Sequence, residues 1–226
     1  MSGHLYGVGV GPGDPELLTL KAARIIAAAP VIAYPKPELG PSMARTIAAD
    51  LIADTAVEIP MPTPYRAGER ATEVYDRFEP VISEHLEQDQ DVVVLCEGDP
   101  LFYGSFLYLL ERLQGRFPVT VVPGVSAPQA CAAQACRPLV WGDVSFSIIP
   151  CTLPEDILRE KITASESLGL IKVGRHLEKV KDLLSELGRL DQALLVSRAS
   201  QPEATVEPLK TAESAPYFAM ILVSAP

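Results

Sequence analysis

Short β-branched apolar runs alternate with amphipathic helical segments along nearly the whole chain, and that alternation limits the fold more than any other feature. Residues 5–10, 31–34, 57–59, 91–96 and 119–122 read as strands. Between them, Leu18, Ala22, Ile25, Ile26 and Ala29 follow helical spacing. So do Met43, Ile47 and Leu51 within 41–52; Val74, Phe78, Val81, Ile82 and His85; and Phe106, Leu109, Leu110 and Leu113. Residues 126–135 also read as a helix. DVVVLC at 91–96 is continuous rather than alternating, which asks for burial on both faces. Repeated β-α units predict a parallel sheet covered by helices. RPLVWGD at 137–143 breaks the pattern and reads as a linker, with Trp141 assigned to packing rather than ligand stacking. Beyond it lie strands at 144–149, 168–173, 193–196 and 218–223, and helices at 155–163 and 176–187. The second of these helices sets Leu177, Val180, Leu184 and Leu187 on one face. The chain of 226 residues therefore predicts an α/β fold of two domains. Residues 1–140 would hold a mostly parallel sheet and 141–226 a mixed one, with a ligand cleft between them.

Composition narrows the function classes. Lys and Arg number 19 against 29 Asp and Glu, a net charge of −10 that argues against a nucleic-acid binder. The opening MSGHLYGVGVGPGD lacks the basic and long apolar parts of a signal peptide, and no apolar run approaches a membrane span. The expectation is a cytoplasmic protein that spans no membrane. Cys96, Cys131, Cys136 and Cys151 form no C-x-x-C pair, and His4, His85 and His176 are scattered, so no metal site is expected.

The most informative motif is a repeated junction. Strand 5–10 runs into Gly11-Pro12-Gly13-Asp14-Pro15 and strand 91–96 into Glu97-Gly98-Asp99-Pro100. Asp at an N-cap with Pro following it is a good helix start anywhere, so one such turn has a purely structural reading. Two of them, each with extra glycine after a parallel strand, favour a ligand, because open α/β sheets bind at the carboxyl ends of their strands. A nicotinamide cofactor fits poorly. G-x-G-x-x-G counted from Gly7 meets Pro12, and counted from Gly9 it meets Asp14. Carboxylates would stand where a pyrophosphate needs positive potential, and a Walker lysine is missing. The loops suit a neutral or cationic ligand, for which S-adenosylmethionine is one candidate.

LYGVGVGPGDPELLTLKAARII (5–26), CEGDPLFYGS (96–105) and VVPGVSA (121–127) resemble, in order and spacing, the three signatures of the tetrapyrrole methylase family. Within it, VIAYPKP, CEGDPLFYGSFLYLLERL and IKVGRHLEKV are similar to members that methylate C-20 in cobalamin biosynthesis. The resemblance implies a tetrapyrrole methylase-like fold, a homodimer, S-adenosylmethionine in the interdomain cleft and a tetrapyrrole trough beside it. By motif position it implies cofactor contacts at Pro12, Glu97, Gly98, Asp99, Phe102, Tyr103, Ser126, Ala127 and Val173, with another near Ala199. Gly13 and Asp14 would border the trough. The implied reaction is methyl transfer to C-20 of precorrin-2 or cobalt-factor II. Alternatives are a methylase of different regiochemistry or a noncatalytic tetrapyrrole-binding module.

Methyl transfer to an electron-rich carbon needs alignment and exclusion of water rather than an activated serine or cysteine. A proton must leave C-20, and Asp14, Glu97, Asp99, Tyr103 and His176 are candidates to take it by location alone. The substrate is polyanionic, so basic groups should line the trough. Lys21, Lys36, Arg45, Arg66, Lys172 and Arg175 are available, and Lys36 and Arg175 adjoin strand-end loops most closely.

Overall fold

Continuous apolar strands form where helices cover both faces of a sheet, and the first half of the chain does this throughout. The structure, a computed structural model, describes residues 2–63 and 71–225. Strands β1 (Leu5–Gly9), β2 (Val31–Pro37), β3 (Val57–Thr63), β4 (Val92–Cys96) and β5 (Val119–Val122) make one sheet in the order β3-β2-β4-β1-β5. Every pairing in it is parallel. Helices α1 (Leu20–Ala28) and α2 (Met43–Ile47) cover one face, where Ala22, Ile26, Ala44 and Ile47 pack on Val8, Ile32, Val93 and Leu95. Helices α3 (Ala71–Glu87) and α4 (Leu107–Leu113) cover the other, where Tyr75, Ile82, Phe106 and Leu109 meet Leu5, Val31, Val92 and Val94. Successive residues of β4 thus serve opposite cores, which is why 91–96 shows no polar alternation.

The second half contains α5 (Ala127–Gln134), α6 (Glu155–Thr163), α7 (Leu177–Glu186) and strands β6 (Phe146–Pro150), β7 (Ser167–Ile171), β8 (Ala193–Ser197), β9 (Thr205–Pro208) and β10 (Ala219–Val223). Its sheet runs β6-β7-β10-β8-β9. Only β6 and β7 pair in parallel; β10 is antiparallel to both neighbours, and so is β9 to β8. One face carries α6 and α7, with Leu158, Ile162, Val180 and Leu184 on Leu168, Leu170, Leu195 and Ile221. The other carries Ala130 and Cys131 of α5 on Ile171, Val196, Met220 and Leu222.

The chain divides at 126/127, into Met1–Ser126 and Ala127–Pro226. The linker expected at 137–143 lies beyond this division, because α5 packs on the second sheet and belongs with it. Two further details differ from the sequence reading. The segment 41–52 is not one helix: α2 gives way to a single 3-10 turn at Ala49–Leu51, and Thr46 Oγ1 donates to the Ser42 carbonyl at 2.8 Å. Strand β9 was not foreseen, since TVEP is short, largely exposed and ends in proline. No helix among the described residues is long and apolar enough to cross a membrane.

Candidate active site

The connection after β1 passes through α1 on one face of the first sheet, and the connection after β4 passes through α4 on the other. Because β1 and β4 are neighbours, their carboxyl ends form a switch point, where an open α/β sheet leaves a crevice for ligand. The two Gly-Asp-Pro loops meet there. Gly11 N donates to the Gly98 carbonyl at 3.2 Å and Gly98 N returns a bond to Gly11 at 2.8 Å. Both glycines have positive φ, +81° and +65°. The loop after β5 closes on the same point. A Cβ on Gly124 would lie 2.1 Å from the Gly98 carbonyl oxygen, and one on Gly9 would lie 2.6 Å from Gly124 N. The three signature segments therefore clasp one another through main chain, with glycine enforced by contact at Gly9 and Gly124 and by backbone conformation at Gly11 and Gly98.

Asp99 fastens the clasp. Its Oδ1 accepts from Leu101 N at 2.9 Å and its Oδ2 from Gly124 N at 3.1 Å. It caps a turn, not a helix, for α4 begins only at Leu107. Asp14 accepts from Glu16 N at 2.8 Å and caps a single 3-10 turn, Pro15–Leu17, while α1 starts at Leu20 behind Thr19, whose Oγ1 accepts from Ala22 N. Neither Asp-Pro pair opens an α-helix, contrary to the sequence reading. The longer loops this leaves place backbone at the crevice.

Glu97 is half-buried and turned toward α2. Burial pushes its carboxyl above the ordinary carboxylate value, opposed by hydrogen bonds from its own N–H and from that of Ala44. Pro12, Gly13 and Phe102 are half-buried, whereas Tyr103 is 52% exposed. Tyr103 also has a positive φ of +54° and meets the Phe102 ring edge-on at 5.2 Å. Ser126 and Ala127 lie on either side of the division between the units, Ser126 half-buried and Ala127 exposed. Val173, in the second unit, has its side chain sealed in the core beside Cys151 and Leu177, so any contact there uses main chain. Ala199 is buried against the α5 face, and its neighbours Arg198 and Ser200 have left-handed backbone.

The basic candidates separate. Arg45 is engaged with Glu58 through two hydrogen bonds of 3.1 and 2.9 Å, and its guanidinium holds the Glu58 carboxyl below the usual range. That pair joins α2 to β3 and gives Arg45 a structural task. Lys36, at the end of β2, and Lys21 are exposed, as are Lys172 and Arg175 in the second unit. Arg66 lies outside the described residues. Arg175 Nε donates to His176 Nε2 at 3.4 Å. Burial first, then Lys179 and Arg175, lower the imidazole pKa. Cys131 and Cys151 are pushed up to about 12 by burial and stay protonated thiols. Trp141 is 48% exposed and borders an open hollow of about 660 Å³ with Arg137 and Gln192, at the end of the second sheet opposite Val173. Among the described residues no group of three or more His, Cys, Asp or Glu could hold a metal ion. The sequence reading missed Gly9 and Gly124 as contact glycines; the only signal was their place in the first and third motifs.

Comparison with known proteins agrees with this architecture. The chain is 39% identical to a precorrin-2 C(20)-methyltransferase of Sinorhizobium sp, over 98% of this chain and 95% of that protein. It is 30% identical to the cobalt-precorrin-2 C(20)-methyltransferase of Salmonella typhimurium, over 99% and 97%. The crystal structure of a uroporphyrin-III C-methyltransferase from Thermus thermophilus, complexed with S-adenyl homocysteine, is 28% identical with a TM-score of 0.71, covering 98% of this chain and 92% of that one. Residues 4–215 match the family of tetrapyrrole (corrin/porphyrin) methylases. With its motifs joined at the switch point and relatives aligned along nearly its full length, the chain belongs to the tetrapyrrole methylases.

Proposed function

We propose that this protein transfers a methyl group from S-adenosylmethionine to C-20 of precorrin-2 in corrin-ring construction. The observation that carries the reading is the glycine clasp at the β1/β4 switch point. Its loops, 11–19, 97–105 and 123–126, contain carboxylates and no lysine or arginine. That donor set suits a ligand with a sulfonium and an ammonium, and opposes a pyrophosphate. Bound there, S-adenosylmethionine supplies an electrophilic methyl group. The close main-chain approach at Gly11, Gly98 and Gly124 fixes the donor, and orientation of this kind lowers a barrier by up to roughly 7–11 kcal/mol. Phe102 and Tyr103 shield the methyl from water. Ser126, Ala127 and the Val173 main chain complete the cofactor contacts, while Gly13, Lys36 and Arg175 meet the macrocycle.

Among the carboxylates, Asp99 is tied on both oxygens and Glu97 is turned to α2. Asp14 lies half-buried in the first loop, where its Oδ1 accepts from Glu16 N, and by that place in the loop we assign it to take the C-20 proton. Metal-free precorrin-2 is favoured over its cobalt form because the more similar of the two relatives, at 39% against 30%, carries the metal-free name. The proposal includes a cytoplasmic homodimer, tested by sedimentation equilibrium of the pure protein.

The deciding assay offers S-adenosylmethionine with precorrin-2 or its cobalt form and locates the new methyl by mass and NMR. One methyl at C-20, with faster turnover of the metal-free substrate, is expected. A methyl at another carbon overturns the regiochemistry, and absence of cofactor binding overturns the methylase reading.

A further inference from the structure

IKVGRHLEKV at 171–180 contains a lysine that local helix rules do not explain. Lys179 is the third residue of α7, in the turn where the helix dipole disfavours a cation. Arg175 and His176 stand just before the helix, so basic side chains already crowd this end. Lys179 is half-buried, and its Nζ donates to the Cys151 carbonyl at 2.7 Å and to the Leu153 carbonyl at 2.9 Å. Both acceptors lie in the turn between β6 and α6. An unfavourable place on its own helix is thus offset by two charge-assisted bonds to a different element.

These bonds close a ring of chain around Val173. Cys151 N donates to the Ile171 carbonyl at 2.8 Å, which carries the β6–β7 ladder one residue past the pair Pro150–Ile171. From Ile171 the chain runs through Lys172 and Val173 into the 3-10 turn Gly174–His176 and directly on into α7. His176 N donates to the Val173 carbonyl at 2.7 Å. Val173 sits between two residues of positive φ, +58° at Lys172 and +27° at Gly174. Left-handed backbone at a residue other than glycine is costly and persists only where its surroundings hold it. Lys179 supplies such a hold, because it joins the turn on one side of this segment to the helix on the other.

We infer that Lys179 is a positioning residue for the cofactor: by bridging the 151–153 turn to the first turn of α7, its ammonium holds the Val173 main chain in the place where it meets S-adenosylmethionine. This role rests on the reading of Val173 as a cofactor contact given above. The ammonium itself does not touch the cofactor, whose sulfonium and ammonium it would repel. It acts through backbone placement, where a shift of about 1 Å costs up to roughly 100-fold.

The test uses the full chain and reads cofactor, substrate and stability separately. Lys179→Met keeps the length of the side chain and removes its donors. It should raise the S-adenosylmethionine Kd, followed by calorimetry, and the cofactor KM by roughly 10- to 100-fold. The KM for precorrin-2 and kcat at saturating cofactor should stay unchanged, and amide exchange should quicken at 172–176. Lys179→Gln, which keeps an N–H donor, should fall between. Lys179→Arg should restore most of the affinity, since its fork also serves two carbonyls. Lys181→Met is the control. It removes a bond of 2.8 Å to the Ala212 carbonyl from the same helix, and should lower Tm without changing cofactor Kd. A lower Tm with unchanged cofactor Kd in Lys179→Met overturns the inference, because the lysine then serves stability alone. So does an equal loss of cofactor affinity in Lys181→Met. If Lys179→Met does not fold, Lys179→Gln decides by the same quantities. Wild-type protein that binds no S-adenosylmethionine overturns the methylase reading itself, and the role of Lys179 with it.

Discussion

Gly124 and Gly98 touch, yet they are glycine for different reasons, and substitution separates the two. A methyl on Gly124 would strike the Gly98 carbonyl oxygen at 2.1 Å, whereas the nearest atom to a Cβ on Gly98 is the Val125 carbonyl oxygen at 3.8 Å. Gly124→Ala should therefore cost about 3 kcal/mol and abolish cofactor binding, because backbone must move. Gly98→Ala meets only the left-handed penalty of about 1–2 kcal/mol. Urea midpoints with cofactor titrations check the contrast; equal losses would show that contact is not what separates them. Glu97 makes a pH prediction. Its carboxyl is raised in the folded state, so the native protein holds that proton to higher pH than the unfolded chain. Its contribution to stability is complete below the ordinary value of 4.5 and is lost as pH rises through the raised value. Glu97→Gln should flatten that decline in the denaturant midpoint. Glu58, lowered by Arg45, acts with the opposite sign: its stabilisation holds at neutral pH and fades as pH falls through the depressed value. The pair is partly exposed, so its effect should be small.

Helix ends show how much of an element depends on residues far along the chain. Helix α6 ends at Thr163 with no glycine to close it. Arg189 does so from beyond α7, donating to the Ile162 carbonyl at 3.0 Å and the Ser165 carbonyl at 2.7 Å, and also to that of Glu166. Removal of this fork by Arg189→Ala should destabilise the second unit by about 2–3 kcal/mol, and Arg189→Lys should recover only part, since an ammonium lacks the fork's planar geometry. Tryptophan fluorescence of Trp141 during urea unfolding gives the readout. Full rescue by lysine would mean that charge, not geometry, closes the helix. The strands β4 and β7 and the helix at 155–163 were readable because apolar pattern alone defines them. Strand β9 was not, because an exposed edge strand has no apolar face to leave in the sequence.

At the scale of the molecule, two sheets with separate cores meet in the chain at 126/127. Helix α5 covers Ile171, Val196, Met220 and Leu222, which would otherwise face water. A fragment of residues 127–226 should unfold cooperatively. A fragment starting at 141 lacks that cover and should bind a hydrophobic dye or aggregate. Equal behaviour of the two would place the boundary at the linker first expected.

The sequence alone determined the α/β class and the family through its three motifs, and it marked the loops proposed to hold the cofactor, because periodicity and glycine placement are local properties that survive without coordinates. Only the tertiary structure decided what those residues do. Asp99 bonds to Gly124, Arg45 is engaged by Glu58, Val173 is sealed into a core, and α5 belongs to the second sheet. Each of these is a pairing between distant positions, and a pairing across a fold leaves no period in the sequence from which to read it.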